Sequence, residues 1–146
     1  MTKSIGRIVT LLSRSILMDL RDVIEPFGIT VGDEPYYTAL AYEDGLSQEE
    51  LTQRLCVDKS ATARAVKALE TKGFIRREVD SLDKRNKRLY LTKEAKSTHK
   101  SLVKALIEYN NELTSDWTKE QYDFVYQSLE MLESKFNDET GGKKKK

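Results

Sequence analysis

Apolar residues recur at three- and four-residue spacing through the first segment of the chain, and this spacing predicts a helix from about Ser4 to Phe27. Pro26 and Gly28 mark its end. A second helix is predicted to begin near Pro35, because proline suits a first turn, and to stop at Gly45. The apolar stripe of the first helix comprises Ile5, Ile8, Val9, Leu12, Ile16, Leu20, Val23 and Phe27.

Capping sequences predict the two short helices that follow. Ser47-Gln48-Glu49-Glu50 is a capping box, in which Ser47 caps the amide of Glu50 and Glu50 reaches back. Asp58 is the next predicted N-cap, after a tight turn at Cys56-Val57. Gly73 is typical of the position just beyond a helix end. Two short helices joined by a tight turn make a helix-turn-helix.

A charged hairpin is predicted directly after this motif. The apolar runs Phe74-Ile75 and Leu89-Tyr90-Leu91 flank a polar loop that carries four cations between positions 84 and 88. Like charges this close repel each other, so the loop suggests a negatively charged partner. A helix followed by a basic hairpin can contact a duplex twice, with the helix in one groove and the hairpin tip in the next.

Two long helices complete the prediction. Thr92 opens one with a stripe of Leu102, Leu106, Tyr109 and Leu113, and a second capping box at Thr118-Lys119-Glu120-Gln121 opens the last. The expected fold is therefore mainly α with a small β-hairpin wing: a winged helix-turn-helix flanked by N- and C-terminal dimerisation helices.

Three regions follow from these elements. Residues 30–100 form the predicted DNA-binding domain. Residues 1–29 and 101–140 form the predicted helical dimerisation region. The long apolar stripes of these terminal helices suggest that they pack together and against a second chain; a larger monomeric helical core is the alternative. Residues 141–146 lack apolar side chains and are predicted to be disordered, with the role of Lys143 to Lys146 left open.

Charge is concentrated in the middle of the chain. The net charge of the 146 residues is +1, but residues 54–100 hold 14 Lys+Arg against 6 Asp+Glu, a net of +8, which leaves −7 for the rest. A basic middle between acidic ends indicates one anion-binding module.

Other function classes find little support in the sequence. A single cysteine, Cys56, excludes an internal disulfide framework and fits a reducing, cytoplasmic location; it is expected to be a small core residue. With His99 as the only histidine, neither a His/Cys metal site nor a nucleophile with its base is expected. None of the seven glycines forms a G-x-G-x-x-G loop. No cofactor, membrane span or enzymatic activity is therefore predicted.

Candidate DNA contacts lie on the second helix of the motif and on the hairpin. A recognition helix presents its first turns to the major groove, where Arg64 suits guanine. Arg85 suits a narrow minor groove. Asp83 is expected to pair with a nearby arginine and fix its direction, with Arg76 and Arg77 at the hairpin base as the other possible partners. Arg77 is also predicted to support the wing. The full predicted set is Lys59, Ser60, Thr62, Arg64, Lys67, Lys84, Arg85, Lys87 and Arg88.

These segments resemble the MarR family of winged-helix transcription regulators. The resemblance rests on Leu46 to Leu51, Val57 to Ser60, Leu69 to Arg77, Asp83-Lys84-Arg85 and Leu91-Thr92. It implies a homodimer on a pseudo-palindromic operator, Arg85 in the minor groove with Asp83 as its support, and release of DNA by a small phenolic or anionic effector. Arg14, Tyr36 and Tyr37 are candidate effector-lining residues, because an arginine and phenols can hold an aromatic carboxylate; a packed core with a surface arginine is the alternative.

The sequence thus predicts a sequence-specific DNA-binding regulator, acting as a repressor. The alternatives are a winged-helix module that binds an acidic protein, and a non-specific DNA-binding protein. A recognition face that carries Arg64 rather than exposed aromatics favours DNA. No motif identifies the operator, the regulated genes or the effector, or distinguishes repression, which is the expected outcome, from activation.

Overall fold

Six α-helices and three short strands follow one another along residues 3–140, the part of the chain that this computed structural model describes, with side chains described over residues 3–136. The mainly α fold with a small wing is therefore confirmed. The predicted disordered tail, 141–146 with Lys143 to Lys146, lies outside the described residues. None of the described helices has the length and apolar character needed to cross a membrane.

The helices are α1 (Ile5–Ile24), α2 (Glu34–Tyr42), α3 (Gln48–Leu55), α4 (Lys59–Thr71), α5 (Lys93–Leu113) and α6 (Lys119–Thr140), and the strands are β1 (Leu46–Ser47), β2 (Ile75–Val79) and β3 (Lys87–Leu91). A short 3₁₀ turn, Glu25–Phe27, follows α1. By internal contacts the chain divides into two compact units, residues 1–107 and 108–146. The predicted division at residues 30 and 100 concerns a dimer and stays a prediction.

The predicted helix caps are present. The Ser47 hydroxyl accepts a hydrogen bond from the Glu50 amide at 3.1 Å, and the Glu50 carboxylate accepts one from the Ser47 amide at 2.8 Å. The Asp58 carboxylate accepts from the Ala61 amide at 2.8 Å. Each cap satisfies amides that the first helical turn leaves without partners, and so fixes where α3 and α4 begin.

A three-stranded antiparallel sheet of order β1-β3-β2 carries the hairpin. Leu89 of β3 lies opposite Leu46 of β1 on one side and Arg77 of β2 on the other. Strand β1 was not expected, because two residues are too few to show an alternating pattern. It connects the hairpin to the start of α3, so the wing is continuous with the helix-turn-helix.

The core of the first unit forms where α2, α3, α4, α5 and the sheet meet. Leu40, Leu51, Leu69, Leu89 and Leu102 come one from each of these elements and are fully buried. Each buried leucine contributes roughly 1.5–3 kcal/mol relative to an exposed one. The core thus holds α4 and the wing in a fixed relation.

Cys56 is a correction to the sequence analysis. It is exposed, with φ +52°, and caps α3 in the left-handed conformation rather than filling the core. A residue that must turn the chain sharply between two helices projects outward, which burial propensity alone does not reveal.

The second unit contains the C-terminal end of α5 and the whole of α6. The predicted capping box at the start of α6 is present, with the Gln121 amide donating to the Thr118 hydroxyl at 3.1 Å and the Thr118 amide to the Gln121 side chain at 2.9 Å. The Asn110 side-chain amide of α5 donates a hydrogen bond to the Tyr122 hydroxyl at 3.3 Å. The rings of Tyr122 and Tyr126 are nearly parallel, with their centroids 6.1 Å apart.

His99 of α5 is a buried titratable residue that packs against α2 in the first unit. Its ring lies edge-on to Tyr37 and Tyr42, and its Nε2 is 3.2 Å from the Thr38 hydroxyl. That hydroxyl donates to Glu34 at 2.5 Å, so it accepts from a protonated Nε2. Burial lowers the pKa of His99 below its ordinary 6.5, and the carboxylate of Glu34 opposes this shift in part.

This burial makes stability depend on pH. A histidine whose pKa is lowered in the folded state stabilises the fold at pH values above its unfolded-state pKa of 6.5. That contribution is lost as the pH falls from 6.5 through the folded-state pKa. We therefore expect the melting temperature of His99→Gln to fall less than that of the unaltered protein when the pH is lowered from 7.5 to 5.5. Calorimetry of both proteins at the two pH values measures this, and equal losses would contradict it.

Candidate nucleic-acid interface

The N-terminal turns of α4 present a polar face to solvent. Lys59, Ser60, Arg64 and Lys67 are all exposed, as predicted for a helix that enters a groove. None of the three cations takes part in an ion pair with any residue of the described chain. This face is therefore available to a partner.

Thr62 is not part of that face, which corrects the sequence analysis. It is fully buried, and its hydroxyl accepts a hydrogen bond from the Thr52 hydroxyl at 2.8 Å. It lies four residues before Val66 and seven before Leu69, so helical spacing puts it on the core side of α4. Thr62 links α4 to α3 and positions the recognition helix rather than touching a ligand.

The wing consists of β2, β3 and the connecting residues 80–86, which form the wing tip. The Asp80 amide donates to the Asn86 carbonyl at 2.9 Å, and the Asn86 amide donates to the Asp83 carbonyl at 3.0 Å. Lys84, Arg85 and Lys87 are exposed, and none of them has an ion pair within the described chain. The tip thus displays cations on a hydrogen-bonded loop.

Asp83 supports this loop through the backbone. Its carboxylate accepts a hydrogen bond from the Arg85 amide at 3.0 Å. The arginines that were expected near it have other partners, since Arg76 pairs with Glu78 and Arg77 with Glu70. Asp83 therefore shapes the turn that carries Arg85 instead of holding a guanidinium.

Arg88, predicted to contact DNA, lies half-buried and joins three parts of the chain. Its Nε donates to Asp80 Oδ2 at 3.0 Å, its Nη1 donates to the Gly45 carbonyl at 2.7 Å, and Glu50 lies 3.7 Å away. The Leu82 amide and this guanidinium hold the pKa of Asp80 below its usual value. Arg88 is a brace between the wing and α3, and its charge is largely compensated within the fold.

Gly45 is required where this brace ends. Its φ is +84°, and a Cβ there would lie 3.2 Å from the Tyr90 hydroxyl. Its amide donates to the Leu89 carbonyl at 2.9 Å while its own carbonyl accepts from Arg88. A side chain at this position would be strained by the positive φ and crowded against Tyr90, so the turn before β1 favours glycine.

A second connection ties the wing to α4. Arg77 Nε lies 2.7 Å from Glu70 Oε2, and both groups line a groove of about 690 Å³ between α4 and the wing. We call it the α4–wing groove; its lining residues are Gln48, Ala63, Lys67, Glu70, Thr71, Arg77 and Lys87. Three cations and one carboxylate give the groove a net positive charge, which suits an anion such as a phosphate.

The effector candidates Arg14, Tyr36 and Tyr37 do not form one site on a single surface. Arg14 is exposed, whereas Tyr37 is fully buried and donates its hydroxyl hydrogen to the Ala95 carbonyl. Burial raises the pKa of Tyr37 to about 12. Tyr37 is a core residue, and Tyr36 is only 6% exposed.

Sequence reasoning missed Glu70, Asp80 and Gly45. Glu70 and Asp80 act by pairing with arginines seven and eight residues further along the chain, across a turn. No periodic pattern marks such pairs. The only available signal was that each acid stands in an otherwise basic segment.

Comparisons with known proteins agree with this geometry. The sequence model of the MarR family matches residues 38–87, which run from α2 to the start of β3. An uncharacterised HTH-type transcriptional regulator of Bacillus subtilis, YybA, is 28% identical over 124 residues, which are 84% of this chain and 79% of that protein. The crystal structure of the regulator SlyA shares the fold, with a TM-score of 0.84 at 22% identity over 95% of this chain and 98% of that one.

A further structure decides the family. A MarR transcriptional regulator from Methanosarcina mazei Go1 is 32% identical, with a TM-score of 0.82, over 92% of this chain and 96% of that chain. The chain belongs to the MarR family. This MarR-family protein is a DNA-binding transcriptional regulator, and the expectation that it is not an enzyme agrees with the nature of its relatives.

Paired and unpaired cations of this MarR-family wing should respond differently to mutation. Arg88→Ala removes three interactions and leaves the carboxylate of Asp80 without its guanidinium, so we expect a loss of about 1.5–3 kcal/mol of unfolding free energy. Lys87→Ala, next to it on β3, should change stability by less than about 0.5 kcal/mol. Urea denaturation of both variants measures the difference; equal stability would contradict the assignment of Arg88 as a brace.

Proposed function

We propose that this protein is a repressor that binds a pseudo-palindromic operator as a homodimer, with α4 in the major groove and the wing tip in the adjacent minor groove. The observation that carries the proposal is the set of exposed cations without intramolecular partners. They lie on two elements, α4 and the wing, and the α4–wing groove separates them. A duplex presents phosphates on both sides of each groove, which matches this spread of charge.

Each cation has a distinct proposed role. Arg64 lies on the exposed face of α4, where its guanidinium is suited to the edge of a guanine. Lys67 and Lys87 face the α4–wing groove and would hold the phosphates of the strand that passes between the two DNA grooves. Arg85 at the wing tip would enter the minor groove, and Lys59, Ser60 and Lys84 would contact the backbone on either side.

The protein-binding alternative is less well supported. Exposed aromatic or methionine side chains would be expected at the centre of a protein interface. The outward positions of α4 are instead Lys59, Ser60, Ala63, Arg64 and Lys67. This composition favours a polyanion.

The effector part of the proposal rests on the family resemblance alone. Arg14 and Tyr36 stay its candidate residues, whereas the core position of Tyr37 argues against a direct contact. A phenolic or anionic molecule is the proposed class of effector, as the family resemblance implies.

Selection of duplexes from a random library by the full-length protein tests the function directly. Fluorescence anisotropy at 150 mM salt should then show a preference of about a hundredfold or more for a selected duplex over a scrambled one. The affinity should fall with salt as expected for release of roughly six to ten counterions by a dimer. Equal binding to both duplexes, or an affinity that does not depend on salt, would contradict the proposal.

Arg85 gives the sharpest test of the wing. Arg85→Ala should weaken binding to the selected duplex by about 1–3 kcal/mol and reduce the salt slope by about one for each wing of the dimer. Arg85→Lys keeps the charge, so it should keep the salt slope while it loses the fit of a guanidinium to the minor groove. The melting temperature should stay unchanged in both variants, because Arg85 is exposed. Unaltered affinity in Arg85→Ala would remove the wing tip from the mechanism.

The dimer is proposed from the apolar side chains that the single chain leaves in water. On α1, Ile5 is 67% exposed and Ile8 is 54% exposed; on α6, Phe124 is 73% exposed and Met131 is 70% exposed. Several apolar side chains exposed along one helix favour an interaction surface over a solvated one. A second copy would bury both surfaces, and two-fold symmetry would put the recognition helices roughly 34 Å apart, one turn of DNA.

Sedimentation of paired variants of α1 tests the dimer. Leu12→Glu places a charge on the apolar stripe and should shift the protein from dimer to monomer at micromolar concentration. Arg14→Glu introduces the same side chain about 200° around the helix, so the dimer should persist. A monomer in the unaltered protein, or a dimer in Leu12→Glu, would argue against this interface.

A further inference from the structure

Leu82 is the most exposed large apolar side chain of the described residues. It is 95% exposed at the centre of the wing tip, and Val79 at the end of β2 is 58% exposed. Apart from these two, the apolar residues exposed by more than half belong to the long helices, with Tyr42 as the exception. A leucine held in water at the tip of a hairpin contributes nothing to the core.

The loop that carries Leu82 is nevertheless well defined. The Leu82 amide donates to Asp80 Oδ1 at 2.9 Å, and the other oxygen of that carboxylate accepts from Arg88 Nε at 3.0 Å. Arg88 is in turn bound to the Gly45 carbonyl. The backbone of Leu82 is therefore connected through two side chains to the turn that precedes β1, and the leucine is presented by a supported loop.

These hydrogen bonds involve the backbone of Leu82 and not its side chain. Leu82 does not have a positive φ, so any residue with a backbone amide hydrogen would allow these bonds, and the fold does not require leucine at this position. A polar residue would avoid the exposure of apolar surface to water. The side chain itself therefore calls for a partner with an apolar surface.

The neighbouring charges indicate what that partner is. Lys84 and Arg85 follow Leu82 within three residues on the same hydrogen-bonded tip, and both are exposed. The partner must combine apolar surface with negative charge over a short distance. The minor groove of DNA has this combination, since its walls are deoxyribose C–H groups and its rims are phosphates.

We propose that Leu82 packs against the sugar walls of the minor groove that receives Arg85, so that the wing tip reads groove width by apolar contact as well as by charge. The inference rests on the proposed function and deepens it. A narrow minor groove would contact the leucine side chain and the guanidinium of Arg85 together, whereas a wide groove would leave only the electrostatic contacts with the phosphates. Leu82 would thus add selectivity for narrow-groove sequences without any hydrogen bond to a base.

The test compares Leu82→Ser with Leu82→Met by anisotropy on the duplex that the unaltered protein selects from a random library. Loss of the apolar contact in Leu82→Ser should weaken binding by about tenfold. The salt slope should not change, because no charge is removed. Leu82→Met keeps an apolar side chain of similar volume and should bind within about twofold of the unaltered protein. The melting temperature should be the same in all three proteins.

A second readout separates the minor groove from other surfaces. A variant of the selected duplex carries G·C pairs under the wing, and replacing their guanines by inosine removes the amino group from the minor groove while it leaves the major-groove edge almost unchanged. We expect this replacement to raise the affinity of the unaltered protein more than that of Leu82→Ser, and an equal effect on both proteins would contradict the proposed contact.

The outcomes are distinct. If the unaltered protein selects and binds a duplex but Leu82→Ser binds equally well, the inference is overturned and the proposed function stands. Reduced binding with an altered salt slope would also overturn it, because the loss would then be electrostatic. If the unaltered protein selects no duplex, both fail together.

Discussion

The geometry of the candidate nucleic-acid interface depends on the contacts of one guanidinium, that of Arg88. It binds the carboxylate of Asp80 at one end of the wing tip and the carbonyl of Gly45 in the turn before β1, with Glu50 of α3 close by. A hairpin of two five-residue strands has little stability of its own in water. The brace, the third strand and the pair between Arg77 and Glu70 give the wing a fixed position relative to α4.

This arrangement divides the cations of the basic segment into two kinds. Five of the 14 pair with acids of the same chain and so contribute to the fold: Arg54, Arg76, Arg77, Arg88 and Lys96. The other nine have no such partner within the described residues: Lys59, Arg64, Lys67, Lys72, Lys84, Arg85, Lys87, Lys93 and Lys100. A net charge of +8 over residues 54–100 identifies the binding module, but it does not identify the contacts. The positions of the acidic side chains distinguish the cations that support the fold from the cations that are free to bind a partner.

The same distinction explains what could be predicted from the sequence. Both capping boxes, the Asp58 cap and the hairpin are local signals, in which the groups that interact lie within a few residues of each other, and all of them are present. The partners of Asp83, Arg77 and Arg88 depend on how distant segments meet, and local patterns carry no information about that. Thr62 was different: its spacing from Val66 and Leu69 already placed it on the core side of α4, but its polar character suggested the surface. Burial of a hydroxyl is acceptable there because Thr52 supplies the hydrogen bond.

A supported wing tip has a consequence for recognition. Ordering a flexible loop on binding would reduce the affinity that its charges provide, since each immobilised side chain or backbone segment costs entropy. Here the amides of Asp80, Leu82, Arg85 and Asn86 are already bonded within the tip. In the proposed complex, the backbone that carries Arg85 is thus organised before DNA binds, and mainly its side chain remains to be ordered. In that complex the carboxylate of Asp83 would be repelled by nearby phosphates, but its hydrogen bond to the Arg85 amide holds the backbone of the turn that carries Arg85.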